Sequence, residues 1–224
     1  RDQRTVTQCL RGHDRFKKEF APAMLQDVRN AYFISRDGSL TCPDAYLEFC
    51  RRNNLPFEVI NKDGFNPIVQ NVALGIQTDE TIYSPDILRR LLLKRLEKNN
   101  IRVSTETRNA EIKRANGPYY TISSADGYAG TFDYVVNSTY TKSSELDSAF
   151  CLSRSDKQFE LVRVAVIELD WPKPKSITVM DGPFFSLLPL DTGGRYLLIH
   201  VDKSVIRESI GVSTPSEWAA HHYD

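Results

Sequence analysis

The sequence predicts an α/β (α+β) fold in which a partial sheet with a β-meander is joined to a second, antiparallel sheet. Three observations predict it. A helical pattern over residues 85–99 is followed directly by an apolar, strand-like run at 101–105. Helices that alternate with strands in this way are typical of a parallel sheet. Strand-like segments separated by Asn116-Gly117 and Asp126-Gly127 follow, and those turns favour hairpins. From residue 159 onward the chain is rich in strand-like segments, and Val162, Val164 and Val166 alternate with other residues, including Arg163, as in antiparallel strands with one solvent-exposed face.

The other elements follow from periodicity and from turn residues. An amphipathic helix is predicted over residues 5–20, a second helix with Thr41 as its N-cap runs to residue 53, and Ser84-Pro85-Asp86 begins the helix at 85–99. A polar helix is predicted over 142–150 and a loop over 61–75. Strands are predicted over residues 31–35, 57–60, 81–83, 101–105, 110–114, 119–123, 132–136, 161–169, 177–180, 184–189 and 196–201.

Composition and charge indicate a globular protein and argue against two classes of partner. The chain has 224 residues, enough to bury a substantial core, and 41% of them are hydrophobic. Its 29 Lys and Arg residues balance 29 Asp and Glu residues, so no basic field attracts nucleic acid or an anionic membrane. No apolar run approaches the roughly 20 residues that a membrane span needs. We therefore expect no nucleic acid partner and no membrane partner.

The cysteines and histidines predict no metal site. Cys9, Cys42, Cys50 and Cys151 form no Cys-x-x-Cys pair, and Cys9 and Cys50 fall at apolar helix positions. We expect these two to be buried free thiols in a reducing compartment, which indicates a cytoplasmic protein. The pair His221-His222 near the C-terminus lacks a third fixed ligand.

The nine residues FDYVVNSTY at 132–140 carry a resemblance to a known family. They form an apolar run that ends in small polar residues, and they come after the predicted helix, strand and meander. That order resembles the second half of the FAD-binding domain in FAD-dependent oxidoreductases of the D-amino-acid-oxidase type. In that family a strand of the form DxVVxAtG delivers the chain to the flavin, whereas this chain ends the strand in Asn-Ser-Thr-Tyr. Residues 179–186 also resemble a substrate-domain strand pair in a bacterial branch of these enzymes.

The resemblance implies a domain organisation. Residues 78–154 would form a partial FAD/NAD(P)-binding-type sheet, and 25–77 with 155–208 an antiparallel substrate-binding domain, between a helical lead-in at 1–24 and a tail at 209–224. No Gly-x-Gly-x-x-Gly occurs in the chain. We expect the family's N-terminal βαβ unit before Arg1 and its C-terminal segment after Asp224. The missing remainder of the same polypeptide is thus an expected partner, and FAD is expected in the intact protein rather than in this chain alone.

Site residues also follow from the resemblance, each with a structural alternative. The cofactor-binding set would be Asn109, Ala110, Asn137, Ser138, Thr139 and Tyr140, although residues 137–140 also suit an ordinary turn with capping side chains. The substrate set would be Met180, Asp181, Phe184 and Phe185, although a Gly-Pro hairpin with core aromatics explains them equally. His200, in an apolar strand, is a candidate catalytic base or a hydrogen-bonded structural residue.

Three functions remain open at this point. The first is a portion of an FAD-dependent oxidoreductase that oxidises a C–N or C–O bond of a small polar metabolite by hydride transfer to flavin. The second is a non-catalytic binding or assembly module that keeps the fold but has lost the cofactor site. A Gly-x-Gly-x-x-Gly unit upstream of Arg1 would favour the enzyme. The third is an α/β domain with a chance resemblance, which is favoured if residues 101–105 lack a parallel strand neighbour.

Overall fold

The structure, a computed structural model, describes residues 3–60, 69–105, 107, 111–115, 117, 119–146, 150, 152, 153 and 155–220. Its helices and strands, in chain order, are α1 (Gln3–Glu19), β1 (Arg29–Ser35), α2 (Pro43–Arg52), β2 (Phe57–Val59), β3 (Val72–Thr78), α3 (Pro85–Lys98), β4 (Glu111–Arg114), β5 (Tyr120–Ser123), β6 (Ala129–Phe132), β7 (Lys157–Val162), β8 (Ala165–Glu168), β9 (Lys175–Met180), β10 (Phe185–Pro189), β11 (Arg195–His200) and β12 (Val205–Gly211). Short 3-10 helices lie at Ala21–Ala23, Tyr140–Glu145 and Ser216–Ala220.

The chain divides into two compact units. The first unit contains residues 1–100 and 163–204, and the second contains 101–162 and 205–224. The predicted substrate and FAD domains stay a prediction, because contacts between residues assign neither a substrate nor a cofactor to a unit. Within the described ranges, no helix has both the length and the apolar character that a membrane span requires.

The first unit is built on a seven-stranded sheet with the order β2-β3-β1-β9-β10-β11-β8. Neighbouring strands are antiparallel except β1 and β9, which run parallel. Side chains alternate between the two faces of each strand, so one face collects the core. The core cluster on that face consists of Ala31, Phe33, Ile177, Leu187 and Tyr196, and the half-buried Trp171 packs against it.

The helices begin and end largely as local sequence signals predict. Ser84 caps α3, because its hydroxyl accepts a hydrogen bond from the N–H of Ile87 at 3.4 Å and Pro85 follows at the first helical position. The prediction that Thr41 caps α2 is wrong. Cys42 occupies the N-cap position, and its side chain makes no capping hydrogen bond. Thr41 therefore lies one residue outside the helix, where its hydroxyl is free to bond elsewhere.

The predicted burial of the cysteines holds for one of the two. Cys50 is buried on α2, and burial raises the pKa of its thiol. Cys9 is exposed on α1 although it lies only one turn from the buried Val6. Cys151 lies outside the described residues.

The second unit contains two small antiparallel sheets. The predicted meander is present as β4-β5-β6, with Gly127 at φ 84° in its second turn. Asn116, in its first turn, lies outside the described residues. The other sheet pairs β7 with β12. Among the described residues, Phe159 on β7 is the buried hydrophobic side chain of this unit.

Several strand predictions are wrong, and the reasons are non-local. Residues 101–105 are not a strand, and the third meander strand is β6 rather than 132–136, because the chain leaves the sheet after Phe132. The run at 161–169 is split between β7 and β8, which belong to different sheets. The expected loop at 61–75 contains the start of β3. The strand β12 was not predicted. The expected strand at 81–83 is a single bridge from Tyr83 to Met24.

The turn between β10 and β11 contains a carboxylate whose charge should make the stability of the fold depend on pH. The Asp191 carboxylate accepts hydrogen bonds from the N–H of Gly193 at 2.8 Å and from Nε of Arg195 at 2.6 Å. Burial raises the pKa of Asp191, but the bonds from Arg195 and from the backbone lower it by more, so the folded pKa lies below its ordinary value. Such a carboxylate stabilises the folded state above its unfolded pKa of about 3.9 and loses that effect as pH falls through the folded pKa.

We expect Asp191→Asn to lower the free energy of unfolding by about 0.5–1 kcal/mol at pH 7, the magnitude of an exposed ion pair. Asparagine keeps an oxygen for the Gly193 N–H, so the loss reports the charge. Urea unfolding at a series of pH values measures it, and the difference from the parent should shrink below about pH 4. Asp202→Asn, in the turn after β11, is the control. An Asp191→Asn effect that stays constant from pH 3 to pH 7 would contradict the assignment.

Candidate functional site

The structure brings two of the predicted site residues together on one face of the seven-stranded sheet. Phe185 at the start of β10 and His200 at the end of β11 are directly opposite each other in the antiparallel register. Directly opposed residues place their side chains on the same face. Phe185 packs against the core cluster, so this face is also the core face. His200 thus lies at the edge of the core beside an aromatic ring.

The hydrogen bonds of His200 fix its tautomer. Its Nδ1 accepts hydrogen bonds from the N–H groups of Asp202 and Lys203, both at 3.2 Å. We therefore assign the proton of the neutral ring to Nε2. A ring held in this way donates a hydrogen bond from Nε2. Acting as a base through Nδ1 would cost it both backbone bonds, so the geometry favours a hydrogen-bond donor.

The remaining substrate candidates form a corner with the turn that follows β1. The Asp181 carboxylate accepts a hydrogen bond from the Thr41 hydroxyl at 2.8 Å. The backbone carbonyl of Asp181 accepts a second one from the N–H of Leu40 at 2.9 Å. The Ser39 hydroxyl lies 3.3 Å from the carbonyl of Met180. Sequence reasoning missed this role of Thr41, because a Thr just ahead of Pro43 and Asp44 is typical of a helix N-cap.

The corner is tightly packed around Gly182. A Cβ atom at Gly182 would lie 2.8 Å from the ring of Phe184 and 3.1 Å from the carbonyl oxygen of Gly38. Met180 follows Val179, which packs against the core, so the Met180 side chain lies on the opposite face of the sheet. Of the four substrate candidates, Phe185 therefore lies on the core face, whereas Met180, Asp181 and Phe184 belong to the corner.

The second unit contains the predicted cofactor residues that the structure describes. Asn137 uses both ends of its side chain internally: its Oδ1 accepts hydrogen bonds from the N–H and hydroxyl of Thr139, and its Nδ2 donates to the carbonyl of Ser143 at 2.9 Å. Ser138, Thr139 and Tyr140 are exposed. Asn109 and Ala110 lie outside the described residues.

These residues do not make a pyrophosphate site. Pyrophosphate in dinucleotide-binding folds rests on the N–H groups at the start of a long helix, approached through glycines. The 3-10 helix Tyr140–Glu145 is six residues long, and residues 137–140 contain no glycine. In the described part of the chain, no group of three His, Cys, Asp or Glu residues could hold a metal ion.

Two further features of the first unit lie away from the predicted site. A cavity of about 330 Å³ lies beside β1, β2 and β3, between Phe33, Ile60 and Val69, with the guanidinium of Arg36 in its lining. None of the predicted site residues lines it. On the other face, the carboxylate of Glu80 accepts hydrogen bonds from Asn30 and from the hydroxyl of Tyr32. Burial, followed by the Glu80 charge, raises the pKa of Tyr32, which keeps this phenol a donor.

Comparison with solved structures identifies the fold. No family model matches the sequence, and no curated protein matches it. The structure is similar to glycine oxidase from Geobacillus kaustophilus with a TM-score of 0.63 and 13% identity, and to L-proline dehydrogenase from P. horikoshii with a TM-score of 0.62 and 11% identity. It is also similar to iminodiacetate oxidase from Chelativorans sp. BNC1, with a TM-score of 0.55 and 11% identity.

Each similarity extends over 97% of this chain and over 59–60% of the neighbour. The chain thus spans about three fifths of the length of these neighbours. A chance resemblance predicts that residues 101–105 lack a parallel strand neighbour, and among the described residues they have none. A structural match over 97% of the chain nevertheless argues against a chance resemblance. The predicted resemblance is confirmed at the level of the fold, because this chain has the fold of part of glycine oxidase, L-proline dehydrogenase and iminodiacetate oxidase.

Proposed function

We propose that this chain is a portion of an FAD-dependent oxidoreductase that oxidises a C–N bond of a small polar metabolite by hydride transfer to the flavin. The observation that carries the proposal is the similarity of fold over 97% of the chain to three oxidases or dehydrogenases. These neighbours are named for glycine, L-proline and iminodiacetate, and each of those compounds has a C–N bond next to a carboxylate. A C–N bond is therefore better supported than a C–O bond.

In this proposal the first unit binds the substrate. Asp181 presents a carboxylate that a substrate ammonium group would meet, and the bond from Thr41 at 2.8 Å holds one of its oxygens in place. Phe185 supplies an apolar wall, and His200 offers its Nε2–H as a hydrogen-bond donor. When bound, FAD accepts the hydride, so the protein needs to bind, orient and exclude water rather than to supply a nucleophile.

The second unit would contact the flavin without holding its pyrophosphate. Asn137 is committed to its own turn, and residues 138–140 are exposed at the end of an extended segment. We therefore propose that FAD binds the intact protein and not the 224-residue chain alone. A non-catalytic module would have the same local geometry, so flavin content separates the two functions.

The visible absorption spectrum tests this proposal. We expect the natural gene product, purified from its source cells, to show the visible absorption bands of bound flavin, and the isolated chain to lose added FAD on gel filtration. Under anaerobic conditions, addition of glycine, L-proline or another small amine should bleach the flavin of the gene product. A gene product that neither contains nor retains FAD would reject the enzyme and favour the non-catalytic module.

A further inference from the structure

The cavity beside β1, β2 and β3 has no role in the proposed function, and none of the residues given a role there lines it. Its walls include Phe33, which belongs to the core cluster, and Ile60 and Val69, which pack against that cluster. The cavity therefore lies on the core face of the sheet. Its volume of about 330 Å³ is at the lower end of the range of about 300–1,000 Å³ for pockets that hold small molecules. The cavity thus has room for a small metabolite.

The strand β3 shapes this cavity in two ways. Gly75 has no side chain, so the ring of Phe33 on the opposite strand lies close against the Gly75 backbone, and both residues line the cavity. The register of β1 against β3 also shifts between Ile34 and Ser35, beside Val72 in the cavity wall. A shift of this kind, as in a β-bulge, redirects side chains and is frequent beside functional sites.

Arg36 gives this largely apolar cavity a positive charge. The residue is exposed and lines the cavity, and one of its terminal nitrogens donates a hydrogen bond to the carbonyl of Val72 at 3.5 Å. Its backbone N–H donates to the carbonyl of Asn71 at 2.9 Å. These two bonds hold Arg36 against the start of β3. A guanidinium has five N–H donors, so most of them remain for a ligand.

The charge of Arg36 has no acidic partner among the residues that the structure describes. The nearest carboxylate along the chain, Asp37, instead accepts a hydrogen bond from the side chain of Asn71 at 3.0 Å. A guanidinium beside apolar walls favours an anion that has an apolar body. A carboxylate matches its single charge and its planar fork, whereas a phosphate dianion would bring an additional negative charge close to Asp37.

We propose that this cavity binds a small aliphatic monocarboxylate, with the carboxylate on Arg36 and the hydrocarbon chain against Phe33, Ile60 and Val69. Arg36 orients the ligand, and burial of the hydrocarbon chain supplies most of the affinity. The substrate candidates lie elsewhere, so this ligand is a second small molecule rather than the compound that is oxidised. The inference goes beyond the proposed function and does not depend on flavin.

Ligand-observed NMR with hexanoate as the probe tests the proposal on the purified full-length protein. We expect saturable binding at millimolar concentrations of hexanoate. Hexan-1-ol lacks the charge and acetate lacks the hydrocarbon chain, so each should bind at least about 10-fold more weakly than hexanoate. Inorganic phosphate should not displace hexanoate, because the cavity offers a single cationic side chain among its described lining residues.

A matched pair of variants locates the carboxylate. Arg36→Gln should weaken hexanoate binding by about 10-fold or more and leave the binding of hexan-1-ol unchanged. Arg29→Gln removes the same charge from an exposed residue at the other end of β1, and it should change neither. Val69→Phe adds a ring to the cavity wall and should abolish the binding of both compounds. Because Arg36 is exposed, the Arg36→Gln comparison decides the matter even if Val69→Phe fails to fold.

Several results would overturn the proposal. Hexanoate that shows no saturable binding leaves the cavity without this ligand. Binding that persists in Arg36→Gln or in folded Val69→Phe places hexanoate elsewhere, for example at the substrate corner. An equal loss in Arg29→Gln means general attraction of anions, and displacement by inorganic phosphate means an anion site of another class. Hexanoate binding by a protein that contains no flavin would support this inference and still reject the proposed enzyme.

Discussion

Replacement of Ile177 by alanine is expected to lower the free energy of unfolding of the first unit by about 2–5 kcal/mol. Ile177 is 0% exposed and lies at the centre of β9, opposite Ala31 on one neighbouring strand and Leu187 on the other. The sheet on both sides fixes its surroundings, so the cavity left by the side chain collapses little. A loss of this size lowers the melting temperature by about 2–4 °C for each kcal/mol in a chain of this length.

The fluorescence of Trp171 provides the measurement, because this side chain packs against the same core cluster. Trp218 lies in the second unit, so a Trp218→Phe background leaves one reporter. Urea unfolding should show the full loss for Ile177→Ala and about 0.5–1.5 kcal/mol for Ile177→Val. Val166→Ala, an exposed position on β8, should change stability by less than about 0.5 kcal/mol. Equal effects at Ile177 and Val166 would disprove the placement of the core.

Replacement of Gly75 by alanine is expected to destabilise the first unit by about 1–3 kcal/mol through overpacking. Gly75 on β3 lies opposite Phe33 on β1, and an added Cβ would lie 2.7 Å from the Phe33 ring. Phe33 is buried in the core cluster and has little room to move. The steric cost therefore exceeds the gain of about 0.5–1 kcal/mol that alanine brings by restricting the unfolded chain.

Two further variants separate the steric effect from a general effect of alanine. Gly12 lies in α1 with nothing within 4 Å of its Cβ position, so Gly12→Ala should stabilise by about 0.5–1 kcal/mol. Phe33→Leu removes the clashing edge of the ring, so Gly75→Ala should cost less in that background than in the parent. A double-mutant cycle by urea unfolding measures the coupling. A coupling of zero would mean that the ring of Phe33 does not cover Gly75.

Gly75 also shows why the start of β3 was not predicted. The sequence predicts a loop over residues 61–75 from the turn signals Asp63-Gly64 and Asn66-Pro67, and a glycine at its end fits a loop by local preference. In the sheet, Gly75 is instead the position where an aromatic ring from the neighbouring strand crosses the backbone. That contact joins residues 33 and 75, and no local pattern reveals it.

The site was predicted in part. The sequence singled out Phe185 and His200 separately, and the register of β10 and β11 brings them together. Asp181 was proposed as a substrate residue, but its partner Thr41 was taken for a helix cap. The two residues are 140 positions apart in the chain, and only the meeting of the two turns pairs them.

The sequence by itself determined the features that depend on near neighbours along the chain. The start of α3 at Ser84, the ends of the helices and the first two strands of the meander, β4 and β5, are set by bonds that reach a few residues, so local residue types decide them. The order of these elements also carried the resemblance to the oxidoreductase fold. Only the tertiary structure decided the pairing of β1 with β9, the division of residues 161–169 between two sheets, and the unpaired state of residues 101–105. A strand forms only when another segment hydrogen-bonds to its backbone N–H and C=O groups. Apolar alternation therefore predicts a strand but does not identify its partner.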